Sequence, residues 1–135
     1  DTWTRAVAAL RAWRMFELGW VEIRPATPPI ELHRTVAAVV RAMGVWFLNP
    51  CRIVAVVDEP RRFGFSYGTV DGHFERGEER FLVEWRPDDG VHYEILAFSR
   101  PGRLLSRLGK PFVRRLQRRF AADSKRAMAR AVQEI

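Results

Sequence analysis

One cysteine, three histidines and two tyrosines in 135 residues leave little material for several kinds of chemistry. The lone Cys51 excludes an internal disulfide and makes a reducing, cytoplasmic setting the expectation. It stands between Pro50 and the apolar run 53–57, where a thiol reads as packing rather than as a nucleophile. His33, His73 and His92 fall in separate segments, so the clustered ligand spacing of a metal centre is missing and a metal at His73 is a weak reading. No run approaches the roughly 18 apolar residues of a membrane-spanning helix, so no integral membrane contact is expected. Nucleophile elbow, phosphate loop and dinucleotide fingerprint are all lacking, and no cofactor is expected. No secretory leader is present either, but the chain starts at Asp1 rather than at methionine, which leaves an upstream segment open.

What is present suits one soluble domain spanning 1–135, with 47% hydrophobic and 29% charged residues. The net charge of +7 is unevenly spread. Residues 1–99 carry 12 basic and 14 acidic side chains, whereas residues 100–135 carry 11 basic ones against Asp123 and Glu134. Only Lys110 and Lys125 are lysines. Such an arginine bias fits a GC-rich genome as well as a binding role.

Spacing predicts a helix over 2–18, TWTRAVAALRAWRMFEL, capped by Thr2 or Thr4 and stopped at Gly19. WVEIR alternates and predicts a strand ending at Pro25; PATPPIELH reads as a loop. TVAAVVRAM predicts a strand broken near Gly44, and VWFLNP a turn of helix or an irregular crossing. CRIVAVVDE is a strand, EPRR its turn and FGFSYGTV the next strand. RFLVEWR, PDDG and VHYEILAFSR form the clearest hairpin. From Pro111 onward, Phe112, Leu116, Phe120, Ser124, Ala127, Met128, Ala131 and Ile135 recur every three or four residues. They make the apolar stripe of a helix about 36 Å long, at 1.5 Å per residue over some 24 residues. The expected fold class is therefore α+β: an N-terminal helix, a curved antiparallel sheet of about six strands, and a long C-terminal helix gripped by the sheet.

YGTVDGHFERGEE, residues 67–79, gathers Tyr67, His73, Glu75, Glu78 and Glu79 around glycines, in a connection of about nine residues that is long for a hairpin. Solvated turn, cavity rim and metal site are the three readings, and the solvated turn is the plainest. In the following hairpin, a four-residue PDDG turn would set Val83 opposite Glu94 and Trp85 opposite His92. Glu94 would then lie on an otherwise apolar face, as a pocket group or as a structural partner of Arg86 or Arg100. Gly64, Ser66 and Gly68 leave one strand face bare, so the closing helix or a ligand must come close there. The opposite face, Phe63, Phe65 and Tyr67, reads as core or binding wall, and Trp46 and Phe47 as the lining or the plug of an opening.

YGTVDGHFERGEERFLVE, YEILAFSRP and RLGKPFVRRLQRRF resemble the domain-of-unknown-function family nineteen-ninety, found in bacteria and plants. LRAWRMFELGW and NPCRIVAVVDEPRRFGF are similar to it too, so the likeness covers nearly the whole chain. The resemblance implies a fold akin to the START-like helix-grip proteins and no established reaction. The chain departs from the family pattern by lacking its extra N-terminal segment, which leaves a sheet edge in question, and by Phe74 where a proline is expected.

Three functional readings follow. In the first, a small hydrophobic or amphipathic molecule is enclosed between sheet and helix, with Tyr67, His73 and Glu94 orienting it, Glu75 and Glu78 at the mouth, and Trp46 and Phe65 as contact area. The second is an enzyme of hydrolase, lyase or cyclase type, with His73 or Glu94 as general acid or base. The third sets Arg114, Arg115, Arg118 and Arg119 against nucleic acid or an anionic membrane, although a solvated helix face accounts for the same residues. Nothing in the residues specifies an oligomeric state.

Overall fold

A computed structural model describes residues 1–70, 75–101 and 110–133. Helix α1 spans Thr2–Arg11, and helix α2 spans Lys110–Gln133. Between them run β1 Val21–Arg24, β2 Thr35–Ala42, β3 Val45–Glu59, β4 Arg62–Thr69, β5 Glu75–Trp85 and β6 Val91–Pro101. The six strands form one antiparallel sheet in sequential order, so the expected α+β architecture is present.

The first helix is shorter than its periodicity predicts. Asp1 caps it, its Oδ1 accepting from the Thr4 backbone N–H at 2.7 Å. The helix ends at Arg11 because Trp13 adopts φ 57°, the left-handed region, and is followed by a single 3₁₀ turn over Arg14–Phe16. Tertiary anchoring outweighs helix propensity here. The buried Trp13 indole donates to the Pro28 carbonyl at 2.7 Å and packs on Phe65 at 4.9 Å. The left-handed residue costs roughly 1–2 kcal/mol, less than burying a large aromatic side chain contributes at about 25 cal/mol per Å². The kink places Met15 and Phe16 in the core.

Strand β3 is longer than expected. VWFLNP is neither helix nor irregular crossing but its first six residues, paired with β2 from Ala42↔Val45 to Ala37↔Pro50. The tight turn is Met43-Gly44, both at positive φ (55° and 74°), as a type I′ hairpin requires. Methionine at the first position hides a signal that asparagine or aspartate would have advertised. Further along, Ile53 pairs with Tyr67 but Ala55 with Ser66, so Val54 is the extra residue of a β-bulge. Bulges bend a strand and increase its twist.

The hairpin of β5 and β6 forms as expected, but one residue out of the expected register. Trp85 pairs with Val91, Val83 with Tyr93 and Leu82 with Glu94. The connection covers residues 86–90, closed by Arg86 N–H donating to the Gly90 carbonyl at 2.8 Å, with Asp89 at φ 65°. Since side chains alternate with a period of two, a one-residue slip exchanges the faces of a strand. The inner face therefore carries Phe81, Val83, Trp85, Tyr93 and Ile95, and Glu94 lies on the outer face.

The inner face holds the core. Phe63, Phe65, Tyr67, Phe81, Val83, Ile53, Val36 and Ala38 are buried there, covered by α1, the 3₁₀ turn and α2 side by side. From α2, Ser124, Ala127, Met128 and Ala131 are buried, in the predicted stripe. Tyr93 and Ser124 tie β6 to α2 through an O···O hydrogen bond of 2.9 Å. Burial pushes the Tyr93 phenol well above the usual tyrosine range, so it stays neutral.

Gly64 is required by the neighbouring strand, not by a helix or a ligand. A Cβ there would lie 2.1 Å from the Phe81 carbonyl oxygen and 2.8 Å from the Leu82 Cα. Backbone atoms in a central ladder cannot step aside. Gly64→Ala is expected to destabilise the fold by about 3 kcal/mol, the upper end of overpacking costs, read as a lowered urea midpoint. At Gly68 the nearest contact is an ordinary 3.5 Å, so Gly68→Ala should stay within about 1 kcal/mol.

Candidate functional site

Where the sheet's inner face, the 3₁₀ turn and the first half of α2 meet, the packing is incomplete. A partly open cavity of about 100 Å³ lies there. Sheet residues facing it include Val40, Phe47, Asn49, Tyr67 and Glu79; Phe16 and Trp20 come from the turn region, and Leu116, Gln117 and Phe120 from α2. Strand register brings the sheet residues together, because Val40↔Phe47, Ala38↔Asn49 and Tyr67↔Glu79 are cross-strand pairs on one face. The Tyr67 hydroxyl donates to Glu79 Oε1 at 3.2 Å. Asn49 Oδ1 is buried without a hydrogen-bond partner among the described residues.

The wall toward β1 is held by one carboxylate. Asp123 Oδ2 accepts from the Trp20 indole N–H at 2.9 Å, Arg126 bonds its Oδ1, and Arg119 lies 3.8 Å away. Arg119 also stacks over the Trp20 ring at 4.2 Å. The Trp20 bond is the largest influence and, with Arg126 and Arg119 adding to it, holds the Asp123 carboxyl below its ordinary value against the opposing effect of desolvation, which ranks second.

The candidate residues separate by face. Phe65 and Tyr67 are buried on the inner face; Tyr67 lines the cavity, while Phe65 packs one position away against Trp13 and Phe81. Trp46 is 53% exposed on the outer face, beneath the Arg41 guanidinium at 5.7 Å, and its neighbour Phe47 takes the place in the cavity. Glu94 is corrected likewise. It sits on the outer face beside Arg86 (3.0 Å) and Arg80 (3.8 Å), with its side chain 39% exposed, and is a structural ion-pair partner rather than a pocket group. The stretch 67–79 is mostly strand: residues 67–69 close β4, and Glu75–Glu79 begin β5, where Glu78 is exposed. His73 lies outside the described residues, as does Phe74, and so does the side chain of Glu75. The carboxylate missed from sequence is Glu79, which stepping back by two from Phe81 would have found. Phe47 and Asn49 follow in the same way from Cys51. Trp20 and Gln117 carry no comparable signal.

Among the described residues, no group of three or more histidine, cysteine, aspartate or glutamate side chains is placed to hold a metal ion. No described helix is long and apolar enough to cross a membrane.

Residues 1–127 match the family model described as "Domain of unknown function (DUF1990)". The chain belongs to this family. Similar relatives are UPF0548 proteins from Dictyostelium discoideum (40% identical), Deinococcus radiodurans (41%) and Arabidopsis thaliana (34%). The alignments cover 98%, 96% and 98% of this chain and 67%, 70% and 67% of the respective relatives. Among solved structures, a hypothetical protein from Helicobacter pylori superposes with a TM-score of 0.61 at 14% identity, covering 98% of this chain and 78% of that one. This second likeness shows a shared fold alone.

The Asp123 contacts make a pH-dependent contribution. Its folded pKa is depressed, so the stabilisation is complete above the unfolded aspartate value near 3.9 and is lost as pH falls through the folded value. Melting temperature followed from pH 6 to pH 2 should fall less steeply at the acid end in Asp123→Asn than in the parent chain.

Proposed function

We propose that this chain is a binding module that takes a small hydrophobic or amphipathic molecule into the cavity between the sheet and α2. One observation carries the reading: an otherwise apolar, aromatic-rich hollow presents a few polar groups, Tyr67, Glu79, Asn49 and Gln117, at chosen points. Ligand sites combine apolar walls with sparse orienting groups in this way. A likeness to START-like helix-grip proteins suits it, since that arrangement also sets a hollow between a curved sheet and a closing helix. At about 100 Å³ the cavity admits a small group or one end of a molecule. An apolar cavity of roughly 150 Å³ is enough to hold benzene.

Ala38 faces this cavity and is 4% exposed, so a larger side chain there would fill it. A panel of small lipophilic compounds should include members that raise the melting temperature of the parent chain. A compound at 100 times its Kd adds about 2.7 kcal/mol, a shift of several degrees for a domain of this size. Ala38→Leu should abolish the shift, and Glu94→Ala, on the outer face, should keep it. No shift with any compound, or equal shifts in Ala38→Leu, would sink the proposal.

A further inference from the structure

The β2–β3 hairpin ends in an apolar tip that the core does not use. Among the described residues nine large hydrophobic side chains are exposed, and four of them, Met43, Val45, Trp46 and Leu48, fall within 43–48. Each of the four is more than half exposed. By strand parity Trp46 and Leu48 belong to the outer face, while Val45 shares the inner face with Phe47, so the tip is apolar on both sides. A hairpin that only turned in water would need neither side apolar, and contiguous exposed patches of this kind mark interaction surfaces. Residues 35–57 contain Arg41 and Arg52 and no acidic residue.

Cations gather at the same end of the molecule. Val40 and Phe47 line the cavity from the hairpin, and Leu116, Gln117 and Phe120 line it from the first half of α2. On its opposite side that stretch of α2 exposes Arg114, Arg115 and Arg118. None of the three makes an ion pair with any described residue, whereas Arg119 and Arg126 are held by Asp123. Trp20 joins hairpin and helix. Its ring lies under Arg119 at 4.2 Å and its carbonyl accepts from the Arg41 backbone N–H at 2.8 Å, while the Arg41 guanidinium lies over Trp46 at 5.7 Å. The acidic side chains of the adjoining segments are engaged, Glu17 by Arg14 at 2.8 Å and Glu22 by Arg24 at 2.7 Å, and Glu79 lies inside the cavity beside Tyr67.

We infer that this end of the molecule docks on an anionic lipid bilayer, with the hairpin tip in the interface and the α2 arginines over the headgroups. Tryptophan favours the bilayer interface, and Met43, Val45 and Leu48 supply apolar surface for the acyl boundary. The apolar stripe of α2 is committed to the core, so the helix contributes charge and the hairpin supplies the insertion. Each arginine close to an anionic leaflet strengthens binding about five-fold. A nucleic acid would engage the arginines alone and leave the aliphatic tip in water. The surface lies outside the cavity, so docking stands whether or not the cavity takes a ligand.

Flotation with vesicles tests it, using phosphatidylcholine alone and a mixture of phosphatidylcholine with phosphatidylserine, at low and at high salt. The parent chain should bind the mixed vesicles, bind phosphatidylcholine about ten-fold more weakly, and lose affinity as salt rises. Arg114→Gln, Arg115→Gln and Arg118→Gln together should weaken binding to the mixed vesicles about a hundred-fold. Trp46→Ser with Leu48→Ser should weaken it about ten-fold. Met43→Ser with Val45→Thr repeats the tip test at the turn, should the first pair unfold the chain, and melting temperature checks each variant. Leu96→Ser, an exposed position three strands away on β6, should leave binding unchanged. No binding to the mixed vesicles, equal binding to both kinds, or a loss in Leu96→Ser as large as in the tip variants would overturn the proposal. So would binding that the arginine changes abolish and both tip variants keep, which would assign the surface to a polyanion such as nucleic acid.

Discussion

Phe16 is the contact on which the arrangement of layers turns. Its ring lies 5.4 Å from Phe81 on the sheet and 5.2 Å from Phe120 on α2, and those two rings meet edge-on at 6.2 Å, so Phe16 completes an aromatic triangle that joins sheet and helix. Phe16 reaches this place because Trp13 takes a left-handed conformation and breaks the first helix early. Trp13 holds that conformation because its indole reaches Pro28 and its ring packs on Phe65. Aromatic pairs contribute about 0.5–1.5 kcal/mol beyond area burial. Phe16, Phe65, Tyr67, Phe81 and Phe120 thus form a connected cluster rather than a set of separate contacts.

The broad plan was legible in the residues for a physical reason. Alternation in FGFSYGTV, the apolar spacing after Pro111 and the turn chemistry of EPRR each point to one local structure, and the tertiary fold agrees with them; PDDG also turns the chain, but inside a connection that starts at Arg86. What escaped were matters of parity. Trp46 and Phe47 are neighbours, and only the phase of β3 decides which faces inward. Glu94 and Tyr93 exchange faces according to whether the connection starts at Arg86 or Pro87. Glu79 was overlooked because it was counted with a turn when it already belonged to β5. Composition and periodicity reveal that a strand is amphipathic. They do not reveal its phase when both faces carry large apolar residues, as they do in β5 and β6.

The polar groups divide according to the same parity. On the outer face Glu84 and Glu94 share Arg86, at 2.9 and 3.0 Å, and lie within 4 Å of Arg62 and Arg80 respectively. Half-exposed pairs of this kind contribute little each; among them lies Leu82, paired with Gly64 and Glu94 and 2% exposed although it points away from the core. On the inner face the charges are few and individually placed: Glu79 beside Tyr67, Asp123 beside Trp20.

The bulge at Val54 divides β3 into two stretches with independent phase. Before it, Phe47, Asn49, Cys51 and Ile53 face inward; beyond it, the inward positions shift by one, and Asp58 comes within 3.8 Å of Arg11 on α1. The extra residue acts as a mechanical clutch. Phe47 and Asn49 take their aim from the pairing with β2, and Asp58 takes its own from the pairing with β4 beyond the bulge, so the two ends of one strand are phased by different neighbours.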